Sequence, residues 1–169
     1  MRYPISILGG LLAALLLLLG CNNEDDVVGI FTEKTWKLTF IALEGHTDRF
    51  DFWEGNAQAE KNSMKLLEAT GNFNLSFQGA TSGKSISGAY NGKGVLGNLT
   101  GTWSADGHAH SFSMAVRAST PENDIFAKAF VGGLATAFRY EGDYNNLYIY
   151  YRNGQQVMFM GFKPLPHTP

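Results

Sequence analysis

The run SISGAYNGKGVLGNLTGTWSADGHAHSFSMAVR, residues 85–117, decides the fold because it alternates short apolar segments with glycine-rich turn signals. It predicts three strands, over residues 85–90, 99–104 and 110–117. Between them, Asn91-Gly92 and Asp106-Gly107 are pairs that tolerate the positive φ angles of hairpin turns. The run therefore predicts a meander of antiparallel strands.

The same pattern continues on both sides of this run. Residues 35–41 and 72–77 alternate apolar and polar side chains, as half-buried strands do. A closing hairpin is predicted from residues 147–152 and 156–162, with Asn153-Gly154 as its turn. The chain has 20 glycines and 13% aromatic residues, which also favours strands joined by tight turns. The expected fold class is mainly β.

Two segments carry helical patterns. The first covers about residues 57–70, with Asn56 as its N-cap and Gly71 as a left-handed stop. The main helix covers about residues 121–138, with Thr120 as N-cap and Pro121 at the first helical position. Its interior contains Gly132-Gly133, which costs helix stability but allows a close approach to the sheet.

The N-terminus reads as an export signal. Arg2 precedes an apolar run of about a dozen residues, Leu8 to Leu19, which is too short to span a membrane and suits a secretory signal. The run ends in Leu18-Leu19-Gly20-Cys21, which resembles the bacterial lipobox, with cleavage between Gly20 and Cys21 and lipid attached to Cys21. The alternative is a plain signal peptide. Cys21 is the only cysteine and has no internal disulfide partner, so lipidation is the favoured interpretation.

The residues after the cysteine indicate a destination. Asn22-Asn23-Glu24-Asp25-Asp26 resembles the export signal that sends Bacteroidota lipoproteins to the outer face of the outer membrane. The alternative is a solvated tether, with the domain at the periplasmic face. We expect a lipid-anchored outer-membrane protein, more often at the cell surface than facing the periplasm.

The expected domain organisation is simple. Residues 1–20 are the signal peptide, 21–33 a lipidated acidic tether, 34–163 a single β domain, and 164–169 a C-terminal tail. The net charge of −2 and the absence of any lysine or arginine cluster argue against nucleic acid as a partner.

The β domain resembles the META/HslJ-like domain of bacterial envelope lipoproteins, in a divergent form of the kind found in uncharacterised Bacteroides-type lipoproteins. The resemblance rests on Thr35-Trp36-Lys37-Leu38, on the strand pair of residues 86–91 and 98–103, and on Ser119-Thr120 before the main helix. The family's frequent Gly-Cys-Asn element is absent. The resemblance implies a bent or cracked β-barrel, or half-barrel, with the main helix against its open side, and it implies no enzymatic activity.

Motifs for chemistry are weak. His108-x-His110 has a spacing that zinc accepts on a strand, but it lies in a predicted turn with no assignable further ligand. There is no Gly-x-Ser-x-Gly elbow and no phosphate-binding loop. We therefore predict no catalytic residue, no metal and no cofactor.

The aromatic residues are the remaining candidates for a binding surface. Trp53, Trp103, Tyr148 and Tyr150 are candidates for contacts with a glycan or an envelope protein, or else for a structural role. Phe126 and Phe130 of the main helix would face an apolar ligand held between helix and sheet. The expected function is binding or envelope assembly without enzymatic activity. The alternative is a carrier of a lipid or other apolar ligand, and the oligomeric state is left open.

Overall fold

A computed structural model describes residues 26–166 of the chain. These residues contain nine strands and three helices. In chain order the elements are α1 (Val27–Phe31), β1 (Thr35–Leu43), α2 (Ala57–Glu68), β2 (Asn74–Phe77), β3 (Ala80–Ser82), β4 (Ser85–Lys93), β5 (Asn98–Asp106), β6 (Phe112–Ala118), α3 (Ile125–Ala135), β7 (Ala137–Gly142), β8 (Leu147–Asn153) and β9 (Gln156–Pro164).

The strands form one antiparallel sheet in the order β6-β5-β4-β2-β1-β9-β8-β7, and β3 pairs with β4 beside this path. The outer strands β6 and β7 approach each other at an isolated bridge between Ser111 and Arg139. Nearby, the Tyr140 N–H donates to the His110 carbonyl oxygen at 3.0 Å. α3 packs against β6 and β8 beside the open seam. The predicted cracked half-barrel with a helix against it is confirmed.

One end of the barrel is filled by α1, which the sequence analysis places in the tether. Val27, Ile30 and Phe31 occur at positions i, i+3 and i+4 and are buried. The Asp26 side chain caps the helix by accepting a hydrogen bond from the Gly29 N–H at 3.0 Å. The folded domain therefore begins at residue 27 and not at residue 34, because these apolar residues are part of the core.

α2 begins as predicted, and its end differs. The Asn56 side chain accepts a hydrogen bond from the Ala59 N–H at 3.1 Å, which confirms the N-cap. Gly71 does not adopt a left-handed conformation; Phe73 has the positive φ, at 51°. The Lys37 ammonium donates to the carbonyl oxygens of Ala69, at 2.8 Å, and Asn72, at 2.5 Å. A lysine from β1 thus donates hydrogen bonds to carbonyl oxygens just beyond the end of α2, where the prediction placed a glycine cap.

α3 is shorter than the predicted helix of residues 121–138. Its N-cap is Asp124, which accepts from the Ala127 N–H at 2.9 Å, so Thr120 and Pro121 lie before the helix. Glu122 is 6% exposed, and its carboxylate accepts hydrogen bonds from the backbone N–H groups of residues 95–97. This long-range contact holds the segment outside the helix. At the other end, Phe138 is already in β7.

The predicted turns are correct in two of three cases. β4 runs straight through Asn91-Gly92, and its turn lies instead at residues 94–97, where the Gly94 N–H donates to the Gly97 carbonyl oxygen at 2.9 Å. At Gly92 an added Cβ would be 2.5 Å from the Asn74 carbonyl oxygen, so this glycine permits close strand pairing. The turns after Asp106 and at Gly154, with φ 61°, are confirmed.

Candidate functional site

The lipid-attachment prediction lies outside the described residues. Gly20, Cys21, Asn22, Asn23, Glu24 and Asp25 precede residue 26. Asp26, the last residue of the proposed export signal, is the N-cap of α1 and so has a structural role. Within residues 26–166, no helix is long and apolar enough to cross a membrane.

Four of the six aromatic candidates are core residues. Trp53, Trp103, Phe126 and Phe130 are at most 6% exposed. The Trp103 indole donates to the carbonyl oxygens of Gln78, at 3.0 Å, and Ala89, at 3.2 Å. These side chains do not form an exposed binding surface, because the interior of the barrel uses them.

The space between α3 and the sheet is occupied by rings. Phe126 stacks on Trp53 with centroids 5.8 Å apart, and it also meets Phe73 at 5.6 Å. Phe130 contacts Phe73 at 5.5 Å and Phe162 at 6.4 Å. An apolar ligand between helix and sheet would have to displace these contacts. The packing therefore gives no support to an internal carrier site.

Tyr148 and Tyr150 lie on one sheet face, where both rings contact Phe159, but Tyr150 is largely covered. Its ring stacks on Phe159 at 5.5 Å, and the Arg139 guanidinium lies 3.9 Å from its centroid. Its hydroxyl donates to a Glu141 carboxylate oxygen at 3.0 Å. Burial and this hydrogen bond raise the pKa of Tyr150 to about 12. Tyr148 is half-buried and meets Phe159 at 6.0 Å. The side chains of this face therefore contact one another.

The two histidines of the predicted turn, His108 and His110, make different contacts. Asp106 accepts hydrogen bonds from the backbone of Ala109 and His108 and from the Ser85 hydroxyl, and the Ala109 bond contributes most to lowering the pKa of its carboxyl. His110 instead lies 5.6 Å from the Tyr140 ring. Among residues 26–166 no group of three His, Cys, Asp or Glu side chains is arranged to hold a metal ion.

A concave surface that the sequence did not predict as a site lies along α3. A groove of about 450 Å³ runs between α3 and the β8–β9 hairpin; we call it the α3 groove. Its lining includes Phe52, Ile125, Lys128, Ala129, Gly132 and Arg152. At Gly132 an added Cβ would meet nothing within 4 Å, whereas at Gly133 it would be 2.3 Å from the Met160 methyl group. Gly133 thus permits the predicted close packing, and Gly132 faces open space.

A second cleft adjoins the α3 groove. This polar cleft has a volume of about 520 Å³, and its lining includes Trp53, Glu54, Asn56, Asn62, Ser63 and Asp124. At its base the Trp53 indole donates to the Ser63 hydroxyl at 2.9 Å, and Ser63 donates to Asp124 at 2.6 Å. Phe52 and Ile125 line both cavities, so the two adjoin at these side chains. These two hydrogen bonds connect α2, the N-cap of α3 and the loop after β1.

A half-buried lysine lines a further cavity, of about 420 Å³, beside α2. Burial lowers the pKa of Lys37 to about 8. Its two hydrogen bonds to the carbonyl oxygens of Ala69 and Asn72 assign it to closing the end of α2. Its ammonium is already engaged, so we assign it no ligand.

Within residues 26–166, the chain forms a mainly β domain with several surface cavities, of which the α3 groove and the polar cleft adjoin. The model of a domain of unknown function, DUF4847, matches residues 22–164, and the chain belongs to this family. A solved structure of a DUF4847 family protein from Bacteroides vulgatus ATCC 8482 is 21% identical, with a TM-score of 0.59. The similarity covers 81% of this chain and 96% of that chain, and at this identity it shows the fold alone. No curated protein matches the chain.

The family result confirms the coarser part of the predicted relationship, a domain of unknown function with a relative in Bacteroides. The finer resemblance, to the META/HslJ-like domain, stays a prediction, as does lipidation at Cys21.

Proposed function

We propose that this chain is a lipid-anchored outer-membrane lipoprotein whose non-enzymatic β domain serves binding or envelope assembly. The observation that carries the proposal is the position of Leu18-Leu19-Gly20-Cys21. The family match starts at residue 22, directly after the cysteine, and α1 starts at residue 27. A lipobox-like sequence thus stands at the border of the domain, where an anchor is needed.

The short connection has a geometric consequence for this proposal. Five residues separate Cys21 from Val27, and at ~3.5 Å per residue they span at most about 20 Å. The barrel end containing α1 would therefore be held near the bilayer. β1 starts at this end, and its other end pairs with β9 near the β8–β9 hairpin that lines the α3 groove. The groove would accordingly face away from the membrane, where a partner can reach it.

Fractionation of cells expressing the full chain tests the anchor. We expect wild-type protein in the outer-membrane fraction, with diacylglyceryl on Cys21 detected by mass spectrometry. Cys21→Ser removes the acceptor thiol and should release the protein from membranes, while Asn23→Ser serves as the matched control and should remain bound. A Cys21→Ser variant that still fractionates with membranes would show the proposal to be wrong.

The destination is tested separately with protease added to intact cells. Surface-exposed domain should be cleaved, and Glu24→Ala combined with Asp25→Ala should protect it while leaving it membrane-bound. Asp26 is left unchanged because it caps α1. Protection of the wild-type domain would place it at the periplasmic face.

A further inference from the structure

The charges lining the α3 groove and the adjoining polar cleft are segregated by sign. The charged residues lining the α3 groove are Lys128 and Arg152, and those lining the polar cleft are Glu54 and Asp124. Neither Lys128 nor Arg152 has an ion-pair partner among residues 26–166. The Arg152 guanidinium lies 4.9 Å from the Phe138 ring centroid, which holds it beside the groove. The α3 groove thus carries the positive charges and the polar cleft carries the negative charges.

The border between the two cavities is apolar. Ile125 is 47% exposed, and it lies where the two cavities meet beside Phe52. Next to it, Ala129 and Gly132 keep the helix surface low. The result is a recess that fits one or two apolar side chains between two charged ends.

We propose that the α3 groove and the polar cleft together bind an extended peptide segment of a partner protein. An apolar side chain of the peptide packs between Phe52 and Ile125. An acidic residue on one side of it faces Lys128 and Arg152, and a basic residue on the other side faces Glu54. The inference rests on the proposed binding function and names the class of partner.

A peptide fits this arrangement better than an acyl chain does. A fatty-acid carboxylate complements the cationic end and the apolar middle, but it leaves the polar cleft and its acidic side chains unused. A peptide carries charges of both signs along one extended chain. It also supplies backbone groups for the amide side chains of Asn56 and Asn62, which line the polar cleft.

Selection from a random heptapeptide display library, against the purified full chain in detergent, tests the proposal. We expect enriched peptides with an apolar residue flanked by an acidic residue on one side and a basic residue on the other. Gly132→Leu fills the groove with a side chain and raises helix propensity, so it should abolish binding of these peptides without loss of thermal stability. Gly71→Leu is the matched control, because a Cβ there also meets nothing within 4 Å, and it should bind as wild type does.

Charge reversal gives a second readout. Arg152→Glu replaces an attraction by a repulsion and should weaken binding of the selected peptides about tenfold at low salt, with a smaller effect at high salt. Equal binding by wild type and Gly132→Leu would overturn the proposal, and so would a library that yields no enriched sequence.

Dodecanoate is tested in parallel. Binding of dodecanoate that Gly132→Leu abolishes, without any selected peptide, would replace the peptide by an anionic amphiphile. None of these outcomes affects the Cys21 fractionation test, so the lipid anchor and the peptide site are tested independently.

Discussion

Substitution of Glu122 is expected to lower the free energy of unfolding by an amount that its hydrogen bonds define. One carboxylate oxygen accepts hydrogen bonds from the N–H groups of Val95 at 3.0 Å and Gly97 at 3.1 Å, and the other accepts from Leu96 at 3.1 Å. The turn between β4 and β5 is thereby fixed to the segment before α3. Glu122→Ala removes the acceptor for all three donors.

The cost follows from the surroundings of each donor. Hydrogen bonds to a charged acceptor are worth about 1.5–3 kcal/mol each, but water replaces part of this where it can reach the donor. Leu96 is 49% exposed, so its N–H can be hydrated, whereas the Gly97 N–H is buried. We therefore expect Glu122→Ala to lower the free energy of unfolding by about 3–4 kcal/mol. Glu122→Gln keeps one acceptor oxygen and should cost about 1–2 kcal/mol.

Gly94 provides a matched partner for a double-mutant cycle. An added Cβ at Gly94 would lie 2.1 Å from a Glu122 carboxylate oxygen, and its three nearest atoms all belong to the Glu122 side chain. Gly94→Ala should therefore be destabilising in the wild type and nearly neutral in the Glu122→Ala background. Urea unfolding followed by tryptophan fluorescence measures all four proteins, with Glu68→Ala as the exposed control. Additive effects of the two substitutions, or a Glu122→Ala cost within 0.5 kcal/mol of the control, would refute the reasoning.

Four further substitutions test the packing. Gly133→Ala should cost about 1–3 kcal/mol through overpacking against the sheet, while Gly132→Ala should stabilise α3 by up to about 1 kcal/mol; thermal unfolding compares the pair. Phe31→Ala should cost about 3–5 kcal/mol in urea unfolding, because the ring is fully buried, whereas a tether residue would cost almost nothing. Burial raises the pKa of Tyr151 in the folded state. Its contribution to stability is therefore complete below pH 10 and is lost as pH rises through the folded pKa. Tyr151→Phe should match wild type at pH 7 and lose less stability above pH 10; parallel pH profiles would contradict this.

The sequence predicted what local patterns control. Alternation identified the strands, and Asn56 identified the start of α2, because a cap depends on contacts three residues away. The predicted start of α3 was wrong. Glu122 looks like a favourable acidic residue for the first turn of a helix, but its carboxylate accepts a hydrogen bond from Gly97, 25 residues earlier in the chain. Asn91-Gly92 was wrong for a similar reason. That glycine serves a close contact with β2, which no local pattern reveals.

The candidate site was less predictable. The aromatic content suggested an exposed binding surface, but most of these rings pack in the interior. The centroid of the Phe31 ring, for example, lies within 5.4 Å of four other ring centroids, those of Phe77, Trp103, Phe112 and Tyr140. The α3 groove brings together residues separated by up to about a hundred positions, such as Phe52 and Arg152. The one local signal was Gly132-Gly133, which marked where the helix surface is low.

The placement of α1 also sets an order of events during synthesis. Phe31 packs against Phe112 and Tyr140, which emerge from the ribosome 81 and 109 residues later, and Trp36 pairs with Pro164 near the C-terminus. None of these contacts can form until residue 112 has been made, and the pairing of Trp36 with Pro164 must wait for residue 164. Non-local pairings of this kind delay folding. Although α1 is the first described element along the chain, it is therefore among the last to become fixed.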